Sequence, residues 1–254
     1  MQDRFIILKE ILKAECGHGN VYYLPNTGNW GDGLIRYGTL KFLNDININF
    51  KELKKFKRFK RDWFFPSLRG GTVIYGGGGS WCKLWNKSND KVKRLNQKFK
   101  VIVLPSTYEL TYSIPGIRFF CRDMFESKQN MPNATFCHDM AFYIGKQFLR
   151  KVKGSGKGYF FRYDKESSNR IKVPSCNNDI SIRGDHLSNI SQFFVEISRF
   201  SVIYTDRLHV SIAACLLEKE VHLYPGSYFK NLAVYKSSIK DYFENIYFHK
   251  EFDF

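Results

Sequence analysis

Short apolar runs alternate with helix-patterned stretches along the whole chain. Residues 21–24, 72–75, 101–104 and 117–121 are β-branched or aromatic and bounded by turn residues, so they read as strands. Each runs into a polar or glycine-bearing loop, at 25–32, 76–80, 105–107 and 122–123, and Ser127 falls in the start of a following helix. Residues 33–43 read as a helix. Further on, 159–161, 202–205 and 221–224 read as strands, and 209–218, without Gly or Pro, as a helix. Strands that lead into helices in this way predict an α/β protein with parallel sheets. The basic, glycine-containing stretch 146–157 reads as a linker. Residues 1–12 read as an amphipathic helix, because Lys9 and Glu10 interrupt the apolar run and no small-residue cleavage site follows.

Two positions in this pattern carry candidate chemistry. A strand ending near Thr205 is followed by Asp206-Arg207-Leu208-His209 and then the helix. Thr205 or Asp206 can cap that helix, which puts Arg207 and His209 in a first turn whose free N–H groups favour an anion. An arginine and a histidine on a solvated helix start fit the same letters. Asp32, at the mouth of the first helix, is either an N-cap or a carboxylate available for catalysis.

Composition narrows the classes. A chain of 254 residues with 43% apolar and 17% aromatic residues can bury a substantial core, which excludes a disordered chain. No apolar run reaches membrane-spanning length. The six cysteines show no C-x-x-C pair, and Cys137-His138 has no answering pair, so a reduced cytoplasmic setting is expected. Three N-x-Ser/Thr sequons, at Asn86, Asn133 and Asn189, carry little weight in that setting. Forty Lys+Arg against 24 Asp+Glu give +16, a field that attracts polyanions. The basic and aromatic residues of 51–65 fit an anionic membrane face or a nucleic-acid backbone; a solvated helix with Leu53, Phe56 and Phe59 turned inward fits them too. No nucleic-acid-binding signature accompanies the charge, so no specific nucleic acid is expected.

Glycine-rich turns need separate treatment. Gly154-Ser-Gly-Lys157-Gly lacks the spacing and the following helix of a phosphate loop, and neither 26–33 nor 76–80 carries a dinucleotide-binding fingerprint. The last two do offer backbone N–H groups at strand ends.

Taken together, five segments resemble the polysaccharide pyruvyl transferase family: Gly28-Asn29-Trp30-Gly31-Asp32, Gly76-Gly77-Gly78-Gly79, Arg122-Asp123 with Ser127, Asp139-Met140-Ala141-Phe142, and Asp206-Arg207-Leu208-His209. They stand in the family's order from residue 28 to 209. The tail Tyr224-Pro225-Gly226-Ser227-Tyr228, with Asn231 and Lys236, is also similar. Trp30 departs from the family, where small or polar residues are common.

The resemblance implies a glycosyltransferase-B-like α/β architecture of two Rossmann-like lobes with parallel sheets facing a cleft. Residues 1–150 form the acceptor-side lobe and 151–254 the donor-side lobe, with the last helix free to pack back on the first. It implies transfer of pyruvate from phosphoenolpyruvate to saccharide hydroxyls as a ketal, with phosphoenolpyruvate as co-substrate, no other cofactor and no metal. By similarity, His209, Asp32 and Arg207 are catalytic. Arg162, Arg207, Arg122, Asn29, Gly31, Gly77, Gly78 and Ser80 bind substrate, and Arg122 and Ser127 lie at the cleft. Arginine's fork matches the donor's carboxylate and phosphate. An acceptor on a lipid carrier would place the 51–65 stretch against the inner membrane face, which vesicle co-sedimentation tests. A nucleotide-sugar glycosyltransferase of the same shape is the alternative, and a non-enzymatic nucleic-acid binder a more distant one.

Overall fold

The computed structural model describes residues 1–17, 19–53, 70–86, 88–146 and 153–250. Helix α1 (Gln2–Cys16) extends past the expected end at residue 12 and buries Phe5, Leu8, Leu12 and Cys16, a stripe spaced by three or four residues. Strand β1 (Val21–Leu24) leads into α2 (Trp30–Asp45), three residues earlier than expected, because Asn29 caps the helix. Next come β2 (Lys51–Glu52), β3 (Thr72–Tyr75), β4 (Gly78–Trp81), α3 (Ser88–Asn96), β5 (Lys100–Tyr108), β6 (Arg118–Cys121), α4 (Glu126–Asn130) and β7 (Thr135–Phe136).

These strands form one sheet in the order β2-β1-β3-β5-β6-β7, with β4 also paired to β5, and every pairing is parallel. Alternate residues of β5 enter two different apolar clusters. Ile102 and Leu104 join one, and Val101 and Val103 the other, as a parallel sheet covered on both faces requires. Two differences from the sequence reading follow from pairing. The glycine run is part strand, because Gly78 and Trp81 pair with Ser106 and Tyr108 on the second half of a long β5. Lys51 and Glu52 pair with β1 rather than opening a helix, and Leu53 is buried as expected. The remainder of the 51–65 stretch lies outside the described residues, as do residues 147–152 of the expected linker.

A second sheet has the order β11-β10-β9-β8, again all parallel. It contains β8 (Lys157–Phe160), β9 (Val202–Thr205), β10 (Glu220–Leu223) and β11 (Ile246–Phe248), with α5 (Ser191–Ser198), α6 (Leu208–Leu216) and α7 (Lys230–Val234) between them. Strand β8 starts inside the expected linker because Lys157 is already in register with Val202. One apolar cluster runs from α1 and α2 through Met140–Ile144 to α6 and Val221, joining the two sheets' cores. Beyond α7 the chain touches the first sheet's side again, where Met124 N–H donates to Ser237 Oγ at 2.9 Å and His138 Nδ1 lies 2.7 Å from Ser238 Oγ. The architecture is two Rossmann-like parallel sheets facing a cleft, glycosyltransferase-B-like. No helix among the described residues is long and apolar enough to cross a membrane.

Candidate active site

Carboxyl ends of strands from both sheets converge on one cleft of about 480 Å³, where open α/β sheets bind ligands. A groove of similar size, about 540 Å³, lies at the amino ends of β5 and β6 around Lys100 and Arg118. The groove contains none of the motif residues.

The first sheet's wall begins with a capping box. Asn29 Oδ1 accepts from the Gly31 N–H at 2.8 Å, and Asp32 Oδ2 accepts from the Asn29 N–H at 3.0 Å. Asp32 is therefore not the N-cap; it serves the cap from inside the helix and also lines the cleft. Burial raises its carboxyl above the ordinary range, opposed by His209 and Arg122. A side chain at Gly31 would sit 2.7 Å from His209 Nδ1, so only glycine lets α2 and α6 bring their first turns together. Asn26, in the same loop, donates to Gly76 O, Gly77 O and Ser80 Oγ and so pins the glycine run. Gly77 packs against the Pro105 carbonyl, and Gly78, at φ +119°, lies beside Asp32. Lys91 of α3 also lines the cleft, over the Tyr75 ring at 5.4 Å, with desolvation lowering its ammonium to about 8.

Arg122 leaves the end of β6 fully buried. Its Nε donates to Thr107 Oγ1 at 2.7 Å and its Nη1 to Asp139 Oδ2 at 2.6 Å. His209 Nε2 lies 3.5 Å from the same Asp139 oxygen. Asp139 thus stands between a guanidinium and an imidazole, which with the Ala141 N–H hold its carboxyl well below the usual range against the cost of burial. Ser127 does not reach the cleft. It is buried behind the wall, accepting from the Tyr108 N–H and donating its own N–H to Asp123 Oδ1.

The second wall is a closed ionic network. Arg207 donates through Nε and Nη2 to Asp179 at 2.9 and 2.5 Å and through Nη1 to Asp164 at 2.8 Å. Arg162 grips Asp164 with Nε and Nη2, and Glu166 with Nη1 at 2.7 Å. Lys230 also pairs with Glu166, whose other oxygen accepts from Trp85 Nε1 across the cleft at 2.8 Å. Three cations face three carboxylates, so the two arginines matched from sequence line the cleft with much of their charge already balanced. Neither expected cap of α6 forms. Arg207 is the N-cap, Thr205 Oγ1 accepts the Arg207 N–H, and Asp206 Oδ1 accepts the Arg162 N–H. The helix therefore opens uncapped by side chains, with Leu208 and His209 at the cleft.

A family model described as polysaccharide pyruvyl transferase matches residues 29–227. The chain belongs to that family. The pyruvyl transferase family is a family of transferases, so the cleft is that of an enzyme. A functionally uncharacterised protein from Klebsiella pneumoniae subsp. pneumoniae NTUH-K2044, known from its crystal structure, is similar over the whole molecule. The TM-score is 0.81 at 28% identity, over 98% of this chain and 100% of that one. No curated protein matches. For this pyruvyl transferase family member, sequence reasoning missed the carboxylates Asp164, Glu166 and Asp179 and gave Asp139 no role. An Asp directly after Cys137-His138, inside a family motif, was the available signal for Asp139. Asp164 and Glu166, two and four residues after Arg162, carried a local signal in that spacing, whereas Asp179 had none, because its partner Arg207 stands 28 residues away.

Proposed function

We propose that the protein transfers pyruvate from phosphoenolpyruvate to two hydroxyls of a saccharide, forming a ketal. The observation carrying this reading is the convergence of His209, Asp139, Arg122 and Asp32 at the strand ends. In the reaction a sugar oxygen bonds to C2 of the donor while the methylene carbon takes a proton. The second hydroxyl then closes the ketal as the C2–O bond to phosphate breaks, its proton leaving with the inorganic phosphate. The proton leaving the first hydroxyl and the one reaching carbon pass through Asp32 and His209, each step being of a kind that contributes about 10²–10⁴-fold. Asp139 orients the His209 ring, while Arg207 and Arg162 favour the charge that builds on the departing phosphate. This scheme uses no metal and no cofactor beyond the donor. The donor's phosphate lies toward the second sheet and the acceptor toward the first. In its fuller form the acceptor rides on a lipid carrier and the 51–65 stretch meets anionic lipid, read out by the vesicle experiment above.

Thermal stabilisation by phosphoenolpyruvate tests the reading. Inorganic phosphate and a nucleotide sugar serve as controls at matched ionic strength, since a chain of charge +16 attracts anions in general. At about 100 times the dissociation constant the donor adds roughly 2.7 kcal/mol. His209→Asn is expected to abolish ketal formation while keeping a melting temperature close to wild type. Stabilisation by the nucleotide sugar alone would replace this donor with another.

A further inference from the structure

Resting on the donor reading above, we propose that Gly79, Arg122 and Tyr228 form a pocket for the donor's carboxylate, with the Tyr228 hydroxyl as one of its hydrogen-bond donors. Tyr228 Oη is buried and has no hydrogen-bond partner among the described residues. A hydroxyl left so in a folded protein calls for an explanation, and a ligand that supplies the missing partner is one. Burial holds its proton on far above neutrality, against the nearby Arg122, so it can only donate to an anion.

The hydroxyl is held in place. The loop carrying it is fixed by Ser227 N–H to Glu166 O and Tyr224 N–H to Thr205 O, both at 2.9 Å, and the Lys230 ammonium lies 5.3 Å from the ring centre. Glu166 lies near it as well, and the Cys82 thiol, a weak hydrogen-bonding group that an anion would outcompete, stands close to the hydroxyl. On the other side, Arg122 uses Nε and Nη1 on Thr107 and Asp139. Its remaining nitrogen, Nη2, would sit 3.6 Å from a Cβ added at Gly79, and Tyr228 Oη 3.7 Å from it. Two donors from the two sheets therefore flank one space of about methyl size, kept open by a glycine and wide enough for one oxygen of the carboxylate. Arg122 is already paired with Asp139 and Tyr228 is neutral, so this spot suits a carboxylate monoanion better than a phosphate dianion.

The absent side chain at Gly79 makes the test clean. Its φ is not in the left-handed region, and an added methyl would meet only ordinary contact distances, so Gly79→Ala is expected to fold and to occupy the space. Tyr228→Phe removes a hydroxyl that the unliganded fold does not satisfy, so its unliganded melting temperature should hold or rise. Binding of phosphoenolpyruvate and of inorganic phosphate is measured for wild type and both variants in the full chain. Each variant is expected to bind phosphoenolpyruvate about tenfold more weakly, the scale of one charged hydrogen bond, with phosphate affinity unchanged. Unchanged phosphoenolpyruvate affinity in Tyr228→Phe overturns the proposal, as does phosphate binding that weakens in step. Wild type that binds no phosphoenolpyruvate removes the donor reading and this inference with it.

Discussion

Arg207 shows why a motif residue has to be read with its partners. Its guanidinium is 4% exposed and bridges Asp179, itself 1% exposed, and Asp164. Removing one member of a buried pair leaves the other charge uncompensated, at about 3–5 kcal/mol. Arg207→Ala is therefore expected to lose stability of that order in urea denaturation. A loss under about 1 kcal/mol would show that water reaches Asp179 in the variant. An inactive Arg207→Ala protein says little about donor binding until its stability is known. Tyr228→Phe and Gly79→Ala, which strip no buried partner, read the site more directly.

At the scale of elements, helix α2 decides how the two sheets meet. Its start carries the capping box and faces His209 through Gly31, and its middle packs on Met140–Ile144 through Gly38. On helix propensity alone Gly38→Ala should stabilise by about 0.5–1 kcal/mol. In the packed structure the new Cβ would lie 1.9 Å from the Met140 carbonyl oxygen, a clash with backbone that cannot rotate away. The net effect is expected to be destabilising by about 1–3 kcal/mol, the usual range for overpacking, seen as a lower denaturation midpoint. A stabilised variant would mean that α2 and the 140–144 turn separate easily. Because Asp139 caps that turn through the Ala141 N–H, a shift there also moves the carboxylate that sits against His209.

For the whole molecule, ionic pairing in the cleft sets acid stability. Asp139, Asp164 and Glu166 have carboxyls held below their ordinary range by the histidine, arginine and lysine partners around them, against desolvation. A depressed carboxyl contributes stability that is full above its unfolded value, near 4, and is lost as pH falls toward the folded one. Asp206 has the opposite sign, since burial raises it to about 6. Its contribution is full below about 4 and is lost as pH rises through 6. The melting temperature is expected to fall steeply below pH 4. Between about pH 4 and 6, Asp206→Asn is expected to gain stability relative to wild type as pH rises, Asp206 sharing its sign with buried Asp32 and Asp123 and opposing His138. A flat profile from pH 3 to 7 would contradict the buried network.

Alternating strands and helices, the parallel sheets and the five motifs were legible in the sequence. Each depends on local pattern: burial on both faces gives apolar runs, and a helix start needs its cap within a few residues. Some local signals misled even so. The Asp32 and Thr205 or Asp206 caps went to Asn29 and Arg207, and the glycine run became a strand because β5 offered it an edge. What only the tertiary structure decided is the company each charge keeps. Arg207 meets Asp179 and Asp164 across 28 and 43 residues of chain, and Arg122 meets Asp139 across 17. Tyr228 reaches Gly79 from the other sheet. Such pairings follow from strand order and from how two sheets face each other, and neither leaves a periodic trace in the letters.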